Sequence, residues 1–155
     1  MRLLFGESET VAPFVARLIW GEGYEFGPNQ AIGVLDKDGT LVAGMVYHQM
    51  HLQHGIIEMS GASLTKRWLN KEILHSIHAY PFSIPGVRVV VHHNGPHQTS
   101  LHRILRAYSY RETLIPNLWD EGEPMHTWTL TRADWVTNKF ERDRAKRQKE
   151  AGVAV

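Results

Sequence analysis

The sequence predicts an α/β fold, a mixed and largely antiparallel sheet with a parallel crossover at its centre and helices on its faces. Two patterns carry this expectation. Residues 31–36 and 40–47 are apolar runs on either side of Lys37, Asp38 and Gly39, and Asp-Gly supplies the positive φ of a tight hairpin. A third run at residues 55–62 extends the meander. The second pattern is a change of period, because Trp68, Leu69, Ile73, Leu74 and Ile77 mark one side of a helix over residues 65–80. A β-branched run at residues 86–92 follows, and strand, helix and strand in that order give a parallel unit.

The remaining elements fill in around these. Residues 2–5 read as a short strand ended by Gly6. Ser8 is the expected N-cap of a first helix carrying Val11, Phe14, Val15, Leu18 and Ile19, with Pro13 near its start. A glycine-rich connector spans residues 21–29. The central helix should stop before Pro81. Leu101, Ile104, Leu105 and Tyr108 place a further helix over residues 99–108, and residues 110–115 and 125–130 read as two strands around a turn-prone stretch.

A chain of 155 residues suits one domain with its own core. Residues 1–134 form that domain, and residues 135–155 a charged tail, helical or frayed, in which Lys139, Arg142, Arg144, Lys146, Arg147 and Lys149 face Glu141, Asp143 and Glu150. The formal charge of +1 offers no global attraction for nucleic acid. The absence of cysteine excludes a disulfide framework, a thiolate metal site and a cysteine nucleophile. No apolar run has bilayer-spanning length and the first residues lack a signal-peptide pattern, so a cytoplasmic protein is expected.

The hairpin at Asp38-Gly39, the strand ending Ser60-Gly61-Ala62, the helix opened by Lys66-Arg67-Trp68-Leu69-Asn70, and the passage Arg103, Ile104, Leu105, Tyr108, Ser109, Tyr110, Arg111, Glu112 together resemble the GNAT N-acetyltransferases. The match runs over residues 29–132. The arginine-tryptophan pair is also similar to acetyltransferase-like proteins of phages and prophages. The resemblance implies a GNAT-like sheet with a central parallel splay, and acetyl-CoA or another acyl-CoA as co-substrate. Ser60, Gly61 and Ala62 would admit the pantetheine arm. Lys66, Arg67, Trp68, Leu69, Asn70 and Lys71 would form the phosphate loop before a helix N-terminus, where backbone N–H groups and the macrodipole favour anions. Trp68 and Asn70 stand where the family has glycine, and Lys66, Arg67 and Lys71 would compensate with charge. Gln98 and Arg103 are further cofactor candidates, with Asn94 the alternative to Gln98. A glycine within a strand also suggests a bulge or a close backbone contact at Gly61.

Acyl transfer to an amine needs a base and an acid for the leaving thiolate. Glu58 interrupts an apolar strand and is the candidate base, against the reading that simple alternation places it in solvent. The family's usual tyrosine acid aligns with Leu105, so Tyr108 and Tyr110 are the substitutes, against ordinary core roles. His48, His51 and His54, and His92, His93 and His97, lack metal-binding spacing, and no metal is expected. The expected activity is N-acetyl transfer from acyl-CoA to an amine of a protein, small molecule or nucleobase. The alternatives are a non-catalytic GNAT-like binding protein or a phage-type enzyme modifying DNA bases. A homodimer is compatible with this reading, and no membrane partner is expected.

Overall fold

The computed structural model describes residues 1–152; the end of the expected tail, residues 153–155, lies outside the described residues. The class is the expected mixed α/β, with helices and seven strands. The chain forms two compact units, the first Met1–Val87 and the second beginning at Arg88.

The first unit holds β1 (Arg2–Leu4), α1 (Ser8–Trp20), β2 (Gln30–Leu35), β3 (Leu41–His51), β4 (Ile56–Ser63) and α2 (Lys71–Ser83). Its strands run in the antiparallel order β1-β2-β3-β4. The β2–β3 turn forms as expected. Asp36 Oδ1 accepts the N–H groups of Asp38 and Thr40 at 2.9 and 3.0 Å, and Gly39 adopts φ +81°.

Helix α1 beds onto this sheet where two glycines face each other across β2 and β3, Gly33 and Gly44. A Cβ on Gly44 would lie 2.7 Å from Val11 Cγ1 and 2.8 Å from Val15 Cγ2, so the pair forms the trough that receives the two valines. Val11, Ala12, Val15, Ala31 and Val46 form the resulting core. The buried stripe of α1 is therefore Val11, Ala12, Val15 and Ala16, whereas Leu18 and Ile19 remain exposed. Ser8 is not the N-cap. It is the first helical residue, Glu7 occupies the cap, and the Ser8 hydroxyl accepts the Ala31 N–H at 2.9 Å.

Two expectations about α2 are also corrected. The helix begins at Lys71, after Asn70 caps it by accepting the Ile73 N–H at 2.9 Å. Residues 64–70 are therefore loop. At the other end the helix runs through Pro81. Proline has no N–H for the carbonyl of Ile77, and the buried Tyr47 hydroxyl donates to that carbonyl at 2.6 Å instead.

The second unit holds β5 (Val89–Asn94), α3 (Thr99–Ala107), β6 (Arg111–Asp120), β7 (Glu123–Thr131), α4 (Arg132–Thr137) and α5 (Lys139–Glu150), with antiparallel strands in the order β5-β7-β6. Strand β6 is longer than expected. It passes Pro116 through an irregularity in which Asn117 takes φ 58° and its Oδ1 accepts the Gly122 N–H at 3.0 Å. Trp128, Leu130, Val90, Leu105, Tyr108 and Tyr110 are buried. The tail begins as two helices joined at buried Asn138, whose Nδ2 donates to the Tyr108 carbonyl at 3.0 Å and whose Oδ1 caps α5 at the Glu141 N–H, 2.9 Å. Among the described residues no helix is long and apolar enough to cross a membrane.

Candidate functional site

The pairing of β3 with β4 sets His48 opposite Glu58, Val46 opposite Ser60 and Gly44 opposite Ala62. Directly paired residues share a face, and this face is the one covered by α1, because Val46 and Ala62 pack with the α1 core. The opposite face carries buried Met45, Tyr47, Ile57 and Met59. Glu58 thus lies half-buried beside His48. His48 is buried, its Nε2 shares a 2.8 Å hydrogen bond with Ser60 Oγ, and its ring lies 4.8 Å from that of Phe26. Glu58, His48 and Ser60 form one polar group on an otherwise apolar face.

The bulge expected at Gly61 is absent, since register is continuous from Ala43↔Ser63 to His48↔Glu58. Packing explains this glycine, whose Cβ would meet Met45 Cε at 2.8 Å. The irregularity falls instead between His48 and His51, where Gln49 takes φ 48°. It brings Gln49, Met50 and His51 into a cavity of about 460 Å³ with Phe26, Pro28 and Asn29.

A larger cavity, about 630 Å³, opens between α1 and the connector after it. Glu9, Arg17, Glu22, Tyr24, Glu25 and Phe26 are among its walls. The Trp20 and Tyr24 rings stack at 4.0 Å, and Phe26 meets both edge-on. Phe26 therefore belongs to both cavities and touches His48. The connector reads as glycine-rich in sequence, yet Tyr24 and Phe26 within it and Trp20 at the end of α1 are an aromatic signal.

In the candidate phosphate loop, Lys66 and Arg67 are exposed, Trp68 and Leu69 are half-buried, and the Arg67 N–H donates to Thr65 Oγ1 at 3.2 Å. Asn70 caps α2 and Lys71 opens it. The side chain of Asn70 meets one N–H of the first turn, and the cationic side chains flank a helix N-terminus.

The second unit holds the remaining candidates. Tyr108 is buried, its hydroxyl donates to Glu141 and accepts from Trp135 Nε1 at 2.9 Å, and burial followed by Glu141 raises its pKa far above that of an ordinary tyrosine. Tyr110 is also pushed well up by burial. Gln98 precedes α3, and its Oε1 accepts the Gly95 N–H at 3.2 Å; Arg103 is exposed on that helix. Asn94 Oδ1 accepts from His102 Nε2 at 2.8 Å and Trp128 Nε1 at 3.0 Å.

The histidines disperse. His92 meets the Tyr110 ring, His93 bonds Thr127 and His97 pairs with Glu123. His102, Glu112 and His126 do approach within 4.8 Å, a grouping that sequence spacing did not suggest. Their groups are engaged internally, since His102 donates to Asn94, and Glu112 pairs with Arg106 at 2.9 Å and His126 at 3.3 Å. The two imidazoles stack at 4.3 Å and 21°, so their in-plane lone pairs run side by side instead of converging. Burial, then His126, lowers the His102 pKa. Burial works to raise the Glu112 carboxyl, but His126 and Arg106 outweigh it and hold it below the usual value.

No family profile matches the chain, and no curated protein matches it either. Solved structures do. A variant of the spermidine N-acetyltransferase SpeG from Vibrio cholerae superposes with a TM-score of 0.72 at 10% identity, covering 88% of this chain and 98% of that one. The same enzyme in complex with CoA and spermine gives 0.69 at 9% identity, covering 88% and 98%. At such identities the likeness is one of fold, and the fold shared is that of GNAT-type N-acetyltransferases.

Proposed function

We propose that the chain is an acyltransferase that moves an acetyl or related acyl group from acyl-CoA to an amine. The observation that carries this reading is Glu58, held half-buried opposite His48 on the α1 face of β4, in a fold shared with enzymes of that chemistry. A carboxylate placed there beside an imidazole is suited to take the proton that an ammonium must lose before attack. The amine lone pair forms the C–N bond, the C–S bond breaks, and the thiolate departs with a proton assigned to solvent, because Tyr108 is engaged by Glu141 and Trp135.

CoA would be held by the first unit's own residues. Ser60, Gly61 and Ala62 are small residues at the end of β4, suited to close approach of the pantetheine arm, and Lys66, Arg67 and Lys71 present positive charge at the α2 N-terminus for the phosphates. Trp68, Leu69 and Asn70 shape the loop. The test is calorimetry with acetyl-CoA. Binding to the wild type should weaken about tenfold or more in Arg67→Ala/Lys71→Ala. Absence of binding at millimolar cofactor would establish the alternative, a non-catalytic protein of this fold, for which the glycine-free loop and the capping role of Asn70 speak.

A further inference from the structure

Ser60, His48 and Glu58 together have the composition of a nucleophilic acyl site. A serine becomes a nucleophile when a base lies within hydrogen-bond reach of its hydroxyl and a third group orients that base. The base here is the His48 imidazole, with Nε2 2.8 Å from Ser60 Oγ. The third group is Glu58, directly opposite His48 in the β3–β4 register, where Cβ atoms lie about 5 Å apart. Ser60 and Glu58 are two residues apart on β4, so both side chains leave the same face of the strand.

Packing alone does not call for these three residues. Their neighbours on the α1 face are Val11, Val15, Ala31 and Val46, and the opposite face of the strand pair carries buried Met45, Tyr47, Ile57 and Met59. Apolar side chains at 48 and 60 would continue that core, because replacing both partners of a hydrogen bond by apolar groups of the same shape costs little. Burial differs within the group in a useful way. His48 is buried, whereas Ser60 and Glu58 are half-buried, so the base is shielded from water while the nucleophile can be reached. The Phe26 ring, 4.8 Å from the imidazole, holds it from one side.

We propose that Ser60 is a nucleophile activated by His48, and that this site hydrolyses small activated acyl esters through an acyl-Ser60 intermediate. Ser60 Oγ bonds to the acyl carbon as its proton passes to His48 Nε2. The bond between the acyl carbon and the leaving group breaks, and the leaving group takes that proton. Water then attacks the acyl-Ser60 carbonyl and gives a proton to His48, which returns it to Ser60 Oγ as the carboxylic acid departs. The negative charge of Glu58 stabilises the imidazolium formed in both steps. Val46, opposite Ser60, is buried and Ala62 packs against the α1 core, so the acyl chain accepted is a short one, acetyl in size. The activity goes beyond acyl transfer from CoA, since its donor needs no nucleotide and its acceptor is water.

The experiment mixes the full chain with p-nitrophenyl acetate, without CoA, follows p-nitrophenolate release, and locates the acetyl group by peptide mass spectrometry after an acid quench. The acetyl group should sit on Ser60. Ser60→Ala should remove it and slow release about tenfold or more, as should His48→Gln. Ser60→Cys keeps a nucleophile in place and should take the label at the same position. Both Ser60 variants alter a single side-chain atom, so their unfolding curves should match the wild type. Glu58→Gln should slow labelling and leave its position unchanged, a split that a merely structural carboxylate would not produce. Unchanged release by Ser60→Ala, or acetyl groups found only on lysines and exposed histidines, would overturn the proposal. Acetyl-CoA calorimetry on the same samples separates this activity from acyl transfer. A labelled Ser60 without CoA binding removes acyl transfer and leaves the esterase, whereas CoA binding with an unlabelled Ser60 removes the esterase alone.

Discussion

Replacing Tyr108 with phenylalanine separates a structural hydroxyl from a catalytic one. The hydroxyl donates to Glu141 and accepts from Trp135 Nε1 at 2.9 Å, and the carbonyl of the same residue receives Asn138. Phenylalanine keeps the ring and the carbonyl and deletes the two hydroxyl bonds. A hydrogen bond to a charged group contributes roughly 1.5–3 kcal/mol and a neutral one about 1. Trp135 and Glu141 are half-buried and recover part of this from water, so the expected net loss is about 2 kcal/mol. For a chain of this length that lowers Tm by about 4–8 °C, measurable by circular dichroism. Glu141→Gln retains an acceptor oxygen and should lose less. Because both changes act on the same bond, the double variant should fall short of the sum of the singles. A Tyr108→Phe protein with wild-type Tm would refute the argument, and one with unchanged Tm but abolished acyl transfer would make Tyr108 the acid.

Other consequences follow from named contacts. Gly44→Ala puts a Cβ 2.7 Å from Val11 Cγ1 and should cost about 1–3 kcal/mol by denaturant titration, whereas Gly61→Ala meets the mobile end of Met45 and should cost less. Tyr47→Phe strips the Ile77 carbonyl of its donor beside Pro81, costing about 1–3 kcal/mol; adding Pro81→Ala, which restores the helical N–H, should recover part of it. Burial, only partly offset by the Leu74 carbonyl, lowers the His78 pKa from 6.5 to about 4. Between those values the unfolded chain binds more protons than the folded one, so stability is lost as pH falls from 6.5 toward 4, by up to about 3 kcal/mol. His78→Leu should flatten that slope.

How far the sequence was legible depended on how far each residue's partner lies along the chain. The Asp36–Thr40 turn was readable because donor, acceptor and glycine sit within five residues, in a combination with one good geometry. Ser8 carried an equally local signal and misled, because its hydroxyl is taken by the N–H of Ala31, brought alongside by the sheet. At α2 the apolar pair Trp68 and Leu69 extended the helical pattern backward, yet Asn70 with Ile73 three residues on was the true start. The stop expected at Pro81 failed for a tertiary reason, the Tyr47 hydroxyl thirty residues away.

The candidate site divides along the same line. Glu58 stood out as a carboxylate in an apolar strand, but period-two alternation leaves open which face is covered. Only the β3–β4 register resolves it, and the irregularity at Gln49 separates that register from the intervening turn. In the sequence three-residue spacing groups His48 with His51 and His54, whereas pairing across strands places it with Glu58 and Ser60. The acidic and aromatic cavity was the least legible part. Its walls combine α1 with a connector that has no period, and one of its residues, Asn29, is distinguished only by a side-chain oxygen without a bond. Unmatched polar atoms exist only in three dimensions, so the missing partner at Asn29 has no trace in the order of residues, whereas the apolar periods that set the fold do.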